Sequence, residues 1–330
     1  MSDINILIIG ELTPECELLP VTLQLTSKSY ELLKDRTNSK VTVLITGGNG
    51  LYDNIAEQLS QAGADEVIIV NDDILKEYNS ARYNKVITEI FKNEMSDIIL
   101  FGATHQGREL APLVATSLET GLTADCTGLD IIDEKLSATR PTFGGKLNAA
   151  ITCKTLPQIA TVRPNVFRIL KTENKKDIKV RFEWIDTHEI QVKTEILEVL
   201  KENCQTDLEK AKIIVSGGLG MKSKEGFCLL EELAACLGGT VGASRAAVDS
   251  GLMPQSAQIG QTGKTVSAKL YIACGISGAA QHIAGINSCD KIIAINTDKN
   301  APIFKYADIG IVGDAFEIIP KLISELIKIK

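Results

Sequence analysis

The sequence is poor in the residues that build metal centres and redox clusters. Only three histidines occur among 330 residues, and they lie far apart in the chain. The eight cysteines are scattered, and none stands in the C-x-x-C spacing that zinc ribbons and iron–sulfur clusters use. We therefore expect no metal site, and we expect reduced cysteine thiols, most of them buried.

Long apolar runs and basic blocks are missing as well. No apolar run approaches the roughly 18 residues that span a bilayer, so we expect no membrane insertion. The net charge is -7 and no lysine or arginine stripe occurs, so nucleic acid would find little opposite charge and is not an expected partner. The N-terminal MSDINILIIGE has no targeting signal, which predicts a cytoplasmic protein.

The sequence is rich in short β-branched runs that alternate with helix-like stretches. The first half contains four predicted buried parallel strands: Ile4 to Ile9, Val41 to Thr46, Val67 to Val70 and Ile98 to Phe101. After a predicted helix over 108–119, four segments predict strands that extend the same sheet: Thr139 to Gly145, Ala149 to Cys153, Ile159 to Val162 and Val180 to Trp184. We expect an N-terminal α/β domain with a mostly parallel sheet.

The charged stretch from Glu195 to Lys210 predicts a domain boundary near its end, between residues 1–208 and residues 209–330. The α/β rhythm then restarts, with predicted strands at 213–216, 240–242, 271–274, 292–296 and 309–312 and predicted helices at 225–237 and 316–327. The pattern predicts an α/β protein of two domains, the second a Rossmann-like nucleotide-binding domain.

A first glycine motif runs from Ser216 to Gly220, after a strand and before a helix, where backbone N–H groups meet phosphates in parallel α/β sheets. The dinucleotide fingerprint G-x-G-x-x-G fails, because Ser223 stands at its third glycine. A tight turn that needs glycine only for packing is an equal alternative.

A second motif, Gly260-Gln261-Thr262-Gly263-Lys264-Thr265, ends like a P-loop. Walker A requires a glycine where Gln258 stands, and no strand run leads into the segment, so we exclude ATP hydrolysis. A polar loop remains that can contact a cofactor.

A third motif runs from Cys274 to His282 and predicts a strand end, a small-residue turn and a helix that begins near Gly278. We expect Ser277 to cap this helix and a phosphate to bind at its start. His282, one turn into the helix, faces the same place or is structural, which is the more frequent case for a lone helical histidine.

A fourth motif, Gly242-Ala243-Ser244-Arg245, ends a predicted strand with a guanidinium. Arg245 either pairs with Asp249 at helical spacing or supplies a cation over a flavin ring. In the first half, polar loops at Gly102 to Arg108 and at Arg140 to Gly145 either bind a ligand or a partner subunit at the sheet edge, or only close the sheet.

Together these segments resemble the α subunits of electron-transfer flavoproteins. GQTGKTVSAKLYIACGISGAAQH, which comes after Ile259, and the later runs IAIN, APIF and IVGD are similar to the C-terminal FAD domain of that family. FGATHQGRELAP, TGLTADCTGL and TRPTFGGKLNAAI are similar to its first half, so the resemblance covers nearly the whole chain.

The resemblance implies a heterodimer with a β subunit and one FAD bound by the α chain. It puts Ser244 and Arg245 at the isoalloxazine ring, where Arg245 favours the reduced anion, and His282 near the flavin O2. The remaining implied contacts are Ile259, Gly260, Gln261 and Thr262 at the ring edge and N5, Ser277, Gly278, Ala279, Ala280 and Gln281 at the pyrophosphate and ribityl chain, and Asn296, Asp314 and Ala315 at the adenosine side.

One position departs from the family. Leu219 stands in the glycine motif where the family usually has arginine, so one cation is missing from the cofactor neighbourhood. We expect an altered flavin potential or affinity, because a unit charge in a partly buried site is worth a few kcal/mol.

Three functions remain open. In the first, the chain is a simple single-FAD carrier of electrons from acyl-CoA dehydrogenases. In the second, towards which TGLTADCTGL and CGISGAAQH point, a second FAD in the β subunit takes hydride from NADH and splits the electrons between ferredoxin and an enoyl-CoA reductase. In the third, the chain is a regulatory or structural protein that binds an adenine nucleotide without redox chemistry, and it would be colourless.

Overall fold

The computed structural model describes residues 3–48, 50, 52–142, 147–170, 178–190, 192, 208, 211–287 and 289–329. The chain divides into two compact units, which we call unit 1 (Met1–Val199) and unit 2 (Leu200–Lys330). Most of the stretch 195–210 lies outside the described residues, so the boundary after residue 208 stays a prediction. In the described part of the chain, every helix is too short or too polar to cross a membrane.

Unit 1 is built on a seven-stranded parallel sheet, as predicted. Its strands, numbered in chain order and given in the order in which they lie side by side, are β10 (Lys179–Glu183), β3 (Glu66–Asn71), β2 (Lys40–Gly47), β1 (Asn5–Gly10), β4 (Ile98–Gly102), β9 (Gln158–Val162) and β5 (Leu122–Cys126). All neighbouring pairs in this sheet are parallel. Its helices are α1 (Pro20–Leu33), α2 (Asp53–Ala62), α3 (Ser80–Glu94) and α4 (His105–Ser117).

Both faces of this sheet are buried, which explains the continuous apolar runs of its central strands. In β1, Ile6 and Ile8 belong to a core shared with α1 and α2, whereas Leu7 and Ile9 belong to a second core shared with α3 and α4. Successive side chains of a strand point to opposite faces, so every residue of such a strand needs to be apolar. The four strands predicted in the first half are confirmed.

Two of the four additional strands lie in a different sheet from the one predicted. Segments 159–162 and 180–184 join the parallel sheet as β9 and β10, but segments 139–145 and 149–153 form a separate antiparallel sheet. This sheet consists of β6 (Gly128–Ile132), β7 (Lys135–Thr142) and β8 (Leu147–Thr152). The reason is connection length: only Asp133 and Glu134, both at positive φ, join β6 to β7, whereas a parallel pair needs a crossover of about a dozen residues. Residues 143–146 lie outside the described residues.

Unit 2 has a six-stranded parallel sheet and confirms the Rossmann-like prediction. Its strands lie side by side as β13 (Gln258–Ile259), β12 (Thr240–Ser244), β11 (Ile213–Gly217), β14 (Leu270–Cys274), β15 (Ile292–Asn296) and β16 (Ile309–Val312). All pairs are parallel. Counted from β11, the strand order is 3-2-1-4-5-6, the order of dinucleotide-binding sheets. The helices of this unit are α5 (Lys224–Leu237), α6 (Arg245–Asp249), α7 (Ala280–Ile283) and α8 (Ala315–Ile329).

Two sequence expectations about unit 2 and the cysteines are wrong. A strand does lead into the motif at Gly260, because the two-residue β13 pairs with the end of β12; such a short strand has no periodicity that a sequence could show. Among the described cysteines only Cys126 and Cys274 are buried, since the others lie at loops or on outward helix faces; all seven are free thiols.

Candidate functional site

The carboxyl edge of the unit 2 sheet contains a topological switch point between β11 and β14. The chain continues from β11 to β12 and β13 on one side, and from β14 to β15 and β16 on the other. Loops that leave neighbouring strands in opposite directions open a crevice at that edge, where α/β proteins bind their ligands. The first and third motifs of the sequence are the two loops at this point.

These two loops pack backbone against backbone. The N–H of Gly218 donates to the carbonyl oxygen of Cys274 at 2.9 Å, and the N–H of Gly220 donates to that of Gly275 at 3.1 Å. A Cβ atom on Gly218 would lie 2.1 Å from the Gly275 oxygen, and Gly275 itself has φ +61°. The glycines of the first motif therefore serve loop packing, and the N–H groups of Gly218 and Gly220 are already engaged.

The loop between β14 and α7 differs from the expectation in how its helix begins. The residue before the helix is Ala279, whose side chain makes no capping bond, and α7 has only four residues. The prediction that Ser277 caps the helix is wrong, because Gly278 at φ +88° turns the chain and leaves Ser277 two residues too early. Any anion here would be bound by N–H groups of the loop and first turn.

Two hydrogen bonds hold the backbone of this loop, and most of its residues are exposed. The Asn296 side chain donates from Nδ2 to the carbonyl oxygen of Ile276 at 2.9 Å, and the N–H of Ile303 donates to that of Ser277 at 3.0 Å. The residues Ser277, Ala279, Ala280 and Gln281 are exposed. These hydrogen bonds fix the loop backbone, and its exposed residues are accessible to a ligand. An adenosine contact of Asn296 stays a prediction.

The loop after β13 lies against α7. The N–H of Gln261 donates to the carbonyl oxygen of Gln281 at 2.8 Å, and Gly260 has φ +145°. Gln258 holds the loop from within by donating from Nε2 to the Thr262 hydroxyl at 3.1 Å. Gln261 and Thr262 lie beside the exposed Gln281, with Gln261 itself exposed, so the second and third motifs form one surface.

The fourth motif adjoins the same surface. Ser244 ends β12, pairs in register with Ile259 of β13, and accepts a hydrogen bond from the N–H of Ala247 at the start of α6. Arg245 is exposed, and its Nε lies 3.3 Å from Oδ2 of Asp249. The ion pair that the sequence left open is thus formed, and Arg245 follows directly after the strand end at which Ser244 pairs with Ile259.

His282 is buried and bonded at both ring nitrogens. Nε2 lies 2.9 Å from the Tyr271 hydroxyl, and Nδ1 lies 3.1 Å from the carbonyl oxygen of Ile259. Burial lowers the pKa of His282 to about 4, so the ring is neutral at neutral pH. It connects β14 with the last residue of β13, directly before the loop that begins at Gly260.

The other predicted contacts follow β11 and β16. Leu219 comes after β11 in a short 3-10 turn, and its side chain is 52% exposed. Asp314 accepts a hydrogen bond from the N–H of Phe316 at the start of α8, where Ala315 is buried. Within the described residues, no group of three or more His, Cys, Asp or Glu side chains could hold a metal ion.

Sequence reasoning does not single out Tyr271, because it stands in an apolar strand. In the structure it is fully buried. A buried tyrosine hydroxyl nearly always needs a hydrogen-bond partner, and this requirement is the signal that the sequence offers. The partner, His282, is eleven residues away and comes close only through the fold.

The carboxyl edge of unit 1 holds a different arrangement. The Thr104 hydroxyl donates to Oε2 of Glu11 at 2.6 Å and accepts from the N–H of Gly107 at the start of α4. Glu11 comes directly after β1, is 4% exposed, and its pKa is raised to about 7 by burial. Arg140, expected in a loop at this edge, lies instead in β7 of the antiparallel sheet, close enough to act electrostatically on Asp125 and Cys126 at the end of β5.

The fold and these loops define an α/β protein whose second unit has the crevice of a nucleotide-binding domain. Residues 6–182 match the family described as "Electron transfer flavoprotein domain", and residues 207–287 match "Electron transfer flavoprotein FAD-binding domain". The chain therefore belongs to the electron transfer flavoprotein α-subunit family, as its motifs indicated.

Individual relatives agree over nearly the whole length. The chain is 47% identical to the "Electron transfer flavoprotein subunit alpha" of Thermoanaerobacterium thermosaccharolyticum over 318 residues, covering 95% of each chain. It is 46% identical to "Protein FixB" of Clostridium saccharobutylicum, covering 94% of this chain and 93% of that protein. It is 44% identical to the α subunit of Clostridium acetobutylicum, with the same coverages.

Proposed function

We propose that unit 2 binds one FAD at its carboxyl edge and that the chain passes electrons through this flavin. The observation that carries the proposal is the joined surface of two loops. The hydrogen bond between the Gln261 N–H and the Gln281 carbonyl puts the exposed Gln261 and Gln281 side by side, with Thr262 next to them. Ser244, which directly precedes Arg245, pairs with Ile259 at the start of the same loop. Polar donors and one cation thus line a single edge.

The residues present fit the chemical parts of FAD. The loop 277–281, in which all residues except Gly278 are exposed, offers backbone N–H groups to the pyrophosphate. Gln261 and Thr262 offer polar groups to the ring edge, and Arg245 supplies a positive charge that favours a reduced, anionic ring. FAD, when bound, accepts and releases electrons, and the protein supplies orientation and electrostatics.

The proposed partners derive from the family. We expect a heterodimer with an electron transfer flavoprotein β subunit and electron exchange with an acyl-CoA dehydrogenase or an enoyl-CoA reductase, in a cytoplasmic location. The finer proposal is flavin-based bifurcation, with NADH and ferredoxin reacting through a second FAD in the β subunit. The alternative is a simple single-FAD carrier.

Flavin stoichiometry tests these proposals in order. The chain is coexpressed with its β subunit, purified, and analysed for FAD by absorption and by release on denaturation. Two FAD per heterodimer support bifurcation, and NADH with ferredoxin is then tested directly. One FAD supports the simple carrier. A colourless complex that binds no added FAD would overturn the proposal and leave non-redox nucleotide binding as the function.

A further inference from the structure

Three elements of unit 2 are linked by a short buried chain of hydrogen bonds. It begins at the hydroxyl of Tyr271 in β14, passes through both nitrogens of His282 in α7, and ends at the carbonyl oxygen of Ile259 in β13. Tyr271 is fully buried and His282 is 6% exposed, so water cannot substitute for either partner.

The direction of each bond is set by the chemistry of its atoms. A carbonyl oxygen only accepts, so the Ile259 oxygen requires the proton of His282 on Nδ1. In a neutral imidazole Nε2 then only accepts, so the Tyr271 hydroxyl is the donor. One tautomer of His282 therefore satisfies both partners, and the other would leave the carbonyl and a ring nitrogen without matched partners.

This series of hydrogen bonds ends at Ile259, just before the loop that is proposed to contact the edge of the flavin ring. Ile259 immediately precedes Gly260, Gln261 and Thr262, and the Gln261 N–H binds the residue before His282. On the basis of the proposed function, we infer that Tyr271 is a positioning residue of the flavin site. Its hydroxyl fixes the tautomer of His282, and His282 in turn holds the loop that carries Gln261 and Thr262.

His282 then acts on the site through its position and not through a positive charge. Both of its nitrogens are committed within the protein, so it neither adds a positive charge to the site nor donates a proton from Nε2 while Tyr271 is bonded to it. Its contribution is the position of the loop. Removing the Tyr271 hydroxyl should then disturb the site almost as much as replacing His282.

The tautomer is measured without any cofactor. In the full-length chain labelled with nitrogen-15, the three histidines give separable ring signals, and His282 is expected to show a protonated Nδ1, a bare Nε2 and no titration between about pH 5.5 and 8. In Tyr271→Phe the two tautomers are expected to mix, and the His282 pKa is expected to rise because the donor to Nε2 is lost. A wild-type proton on Nε2, or unchanged signals in Tyr271→Phe, would overturn the inference.

The effect on the flavin site is measured as the FAD dissociation constant. Tyr271→Phe is expected to weaken FAD about five- to tenfold, the value of one neutral hydrogen bond, and to shift the flavin absorption maxima. In a His282→Gln background the same substitution is expected to have no further effect, because Tyr271 acts through His282. Independent, additive losses would contradict this.

Tyr83→Phe is the matched control. It also removes a buried hydroxyl, one that lies 3.0 Å from the carbonyl oxygen of Leu75 in unit 1, and it should leave both the histidine signals and FAD affinity unchanged. If the wild-type chain binds no FAD, the proposed function fails while the tautomer measurement still stands. If it binds FAD and Tyr271→Phe alters neither readout, the inference alone fails.

Discussion

Unit 1 and unit 2 share the strand order of their central sheets but differ in the residues directly after the first strand. In unit 1 the strand order is β3-β2-β1-β4 and Glu11 follows β1, whereas in unit 2 the order is β13-β12-β11-β14 and Gly218 follows β11. The two units thus share one arrangement of strands, and the loop residues at the carboxyl edge decide which unit can bind an anion.

The carboxyl edge of the unit 1 sheet differs from that of unit 2 because it contains a buried glutamate. Glu11 is buried beside Gly102 and Gly107, and one of its carboxylate oxygens, Oε1, has no hydrogen-bond partner among the described residues. A phosphate placed there would meet a carboxyl group that is partly ionised at neutral pH, because its pKa is about 7, and a helix start that is occupied, since Thr104 already bonds the Gly107 N–H. We expect anionic ligands to be excluded from unit 1 at this edge and accepted in unit 2.

Gly218→Ala in unit 2 is expected to be the most damaging substitution. Gly218→Ala would bring a Cβ within 2.1 Å of the Gly275 carbonyl oxygen, so the two loops must separate. We expect a loss of about 3 kcal/mol in the free energy of unfolding and a rise of about a hundredfold in the FAD dissociation constant. Urea unfolding and FAD titration measure both.

Gly238→Ala is the control for this change. Gly238 ends α5 at φ +67°, and no atom lies within 4 Å of an added Cβ. Only the backbone cost of about 1 kcal/mol is expected, with FAD binding unchanged. Equal losses of FAD affinity in both variants would show that loop contact is not the cause.

The second effect concerns unit 1 and depends on pH. The pKa of Glu11 is about 7 in the folded chain and 4.5 when exposed, so the unfolded state loses its proton first as pH rises. The free energy of unfolding should therefore fall by about 3 kcal/mol between pH 4.5 and pH 7 on account of this group and stay constant above. Glu11→Gln should abolish that fall.

Chemical denaturation at pH 5 and pH 8 provides the measurement. Glu31→Gln, at an exposed glutamate paired with Lys28 on α1, is the control and should retain the wild-type pH dependence. If the wild-type chain loses no more stability between pH 5 and pH 8 than Glu11→Gln does, Glu11 is not held in a desolvated site.

A third substitution tests whether Leu219 lies close to the flavin. Leu219→Arg restores the cation that the family usually has, at a position that is half exposed. Because water screens such a charge, we expect up to about 1 kcal/mol, which is roughly a fivefold tighter FAD or a correspondingly higher midpoint potential. Leu219→Gln should change neither quantity. An arginine without effect would show that Leu219 lies away from the flavin.

The smallest effect concerns the ion pair on α6. Arg245 and Asp249 are both exposed, so Asp249→Ala should change the free energy of unfolding by no more than about 0.5 kcal/mol. Arg245→Ala should be as mild for stability, but it should lower the flavin midpoint potential because a positive charge leaves the ring. If both variants leave the potential unchanged, the guanidinium acts only within the helix.

Much of the fold is predictable because its signals are local. The runs at β11, β14 and β15 are mainly apolar and mostly buried, as strands in the interior of a parallel sheet are. The antiparallel sheet is not predictable in the same way, because the turn at Asp133 and Glu134 lacks the Asn-Gly or Asp-Gly signal of a two-residue hairpin.

The site is predictable as a set of motifs but not as a set of contacts. The sequence predicts that Ser277 caps a helix that actually begins after Ala279, because a single glycine at positive φ shifts the start. The bond between Tyr271 and His282 depends on how β14 and α7 meet, and neither residue contains that information in its own neighbourhood.

The hydrogen bond between Tyr271 and His282 also constrains which substitutions can accumulate at these two positions during evolution. A phenylalanine at 271 leaves a buried nitrogen without its donor, and an apolar residue at 282 removes the acceptor of a buried hydroxyl, so either change by itself is costly. Replacement of both by apolar residues of similar shape is far less destabilising. Among descendants of this chain, the two positions should therefore change in concert or remain as they are.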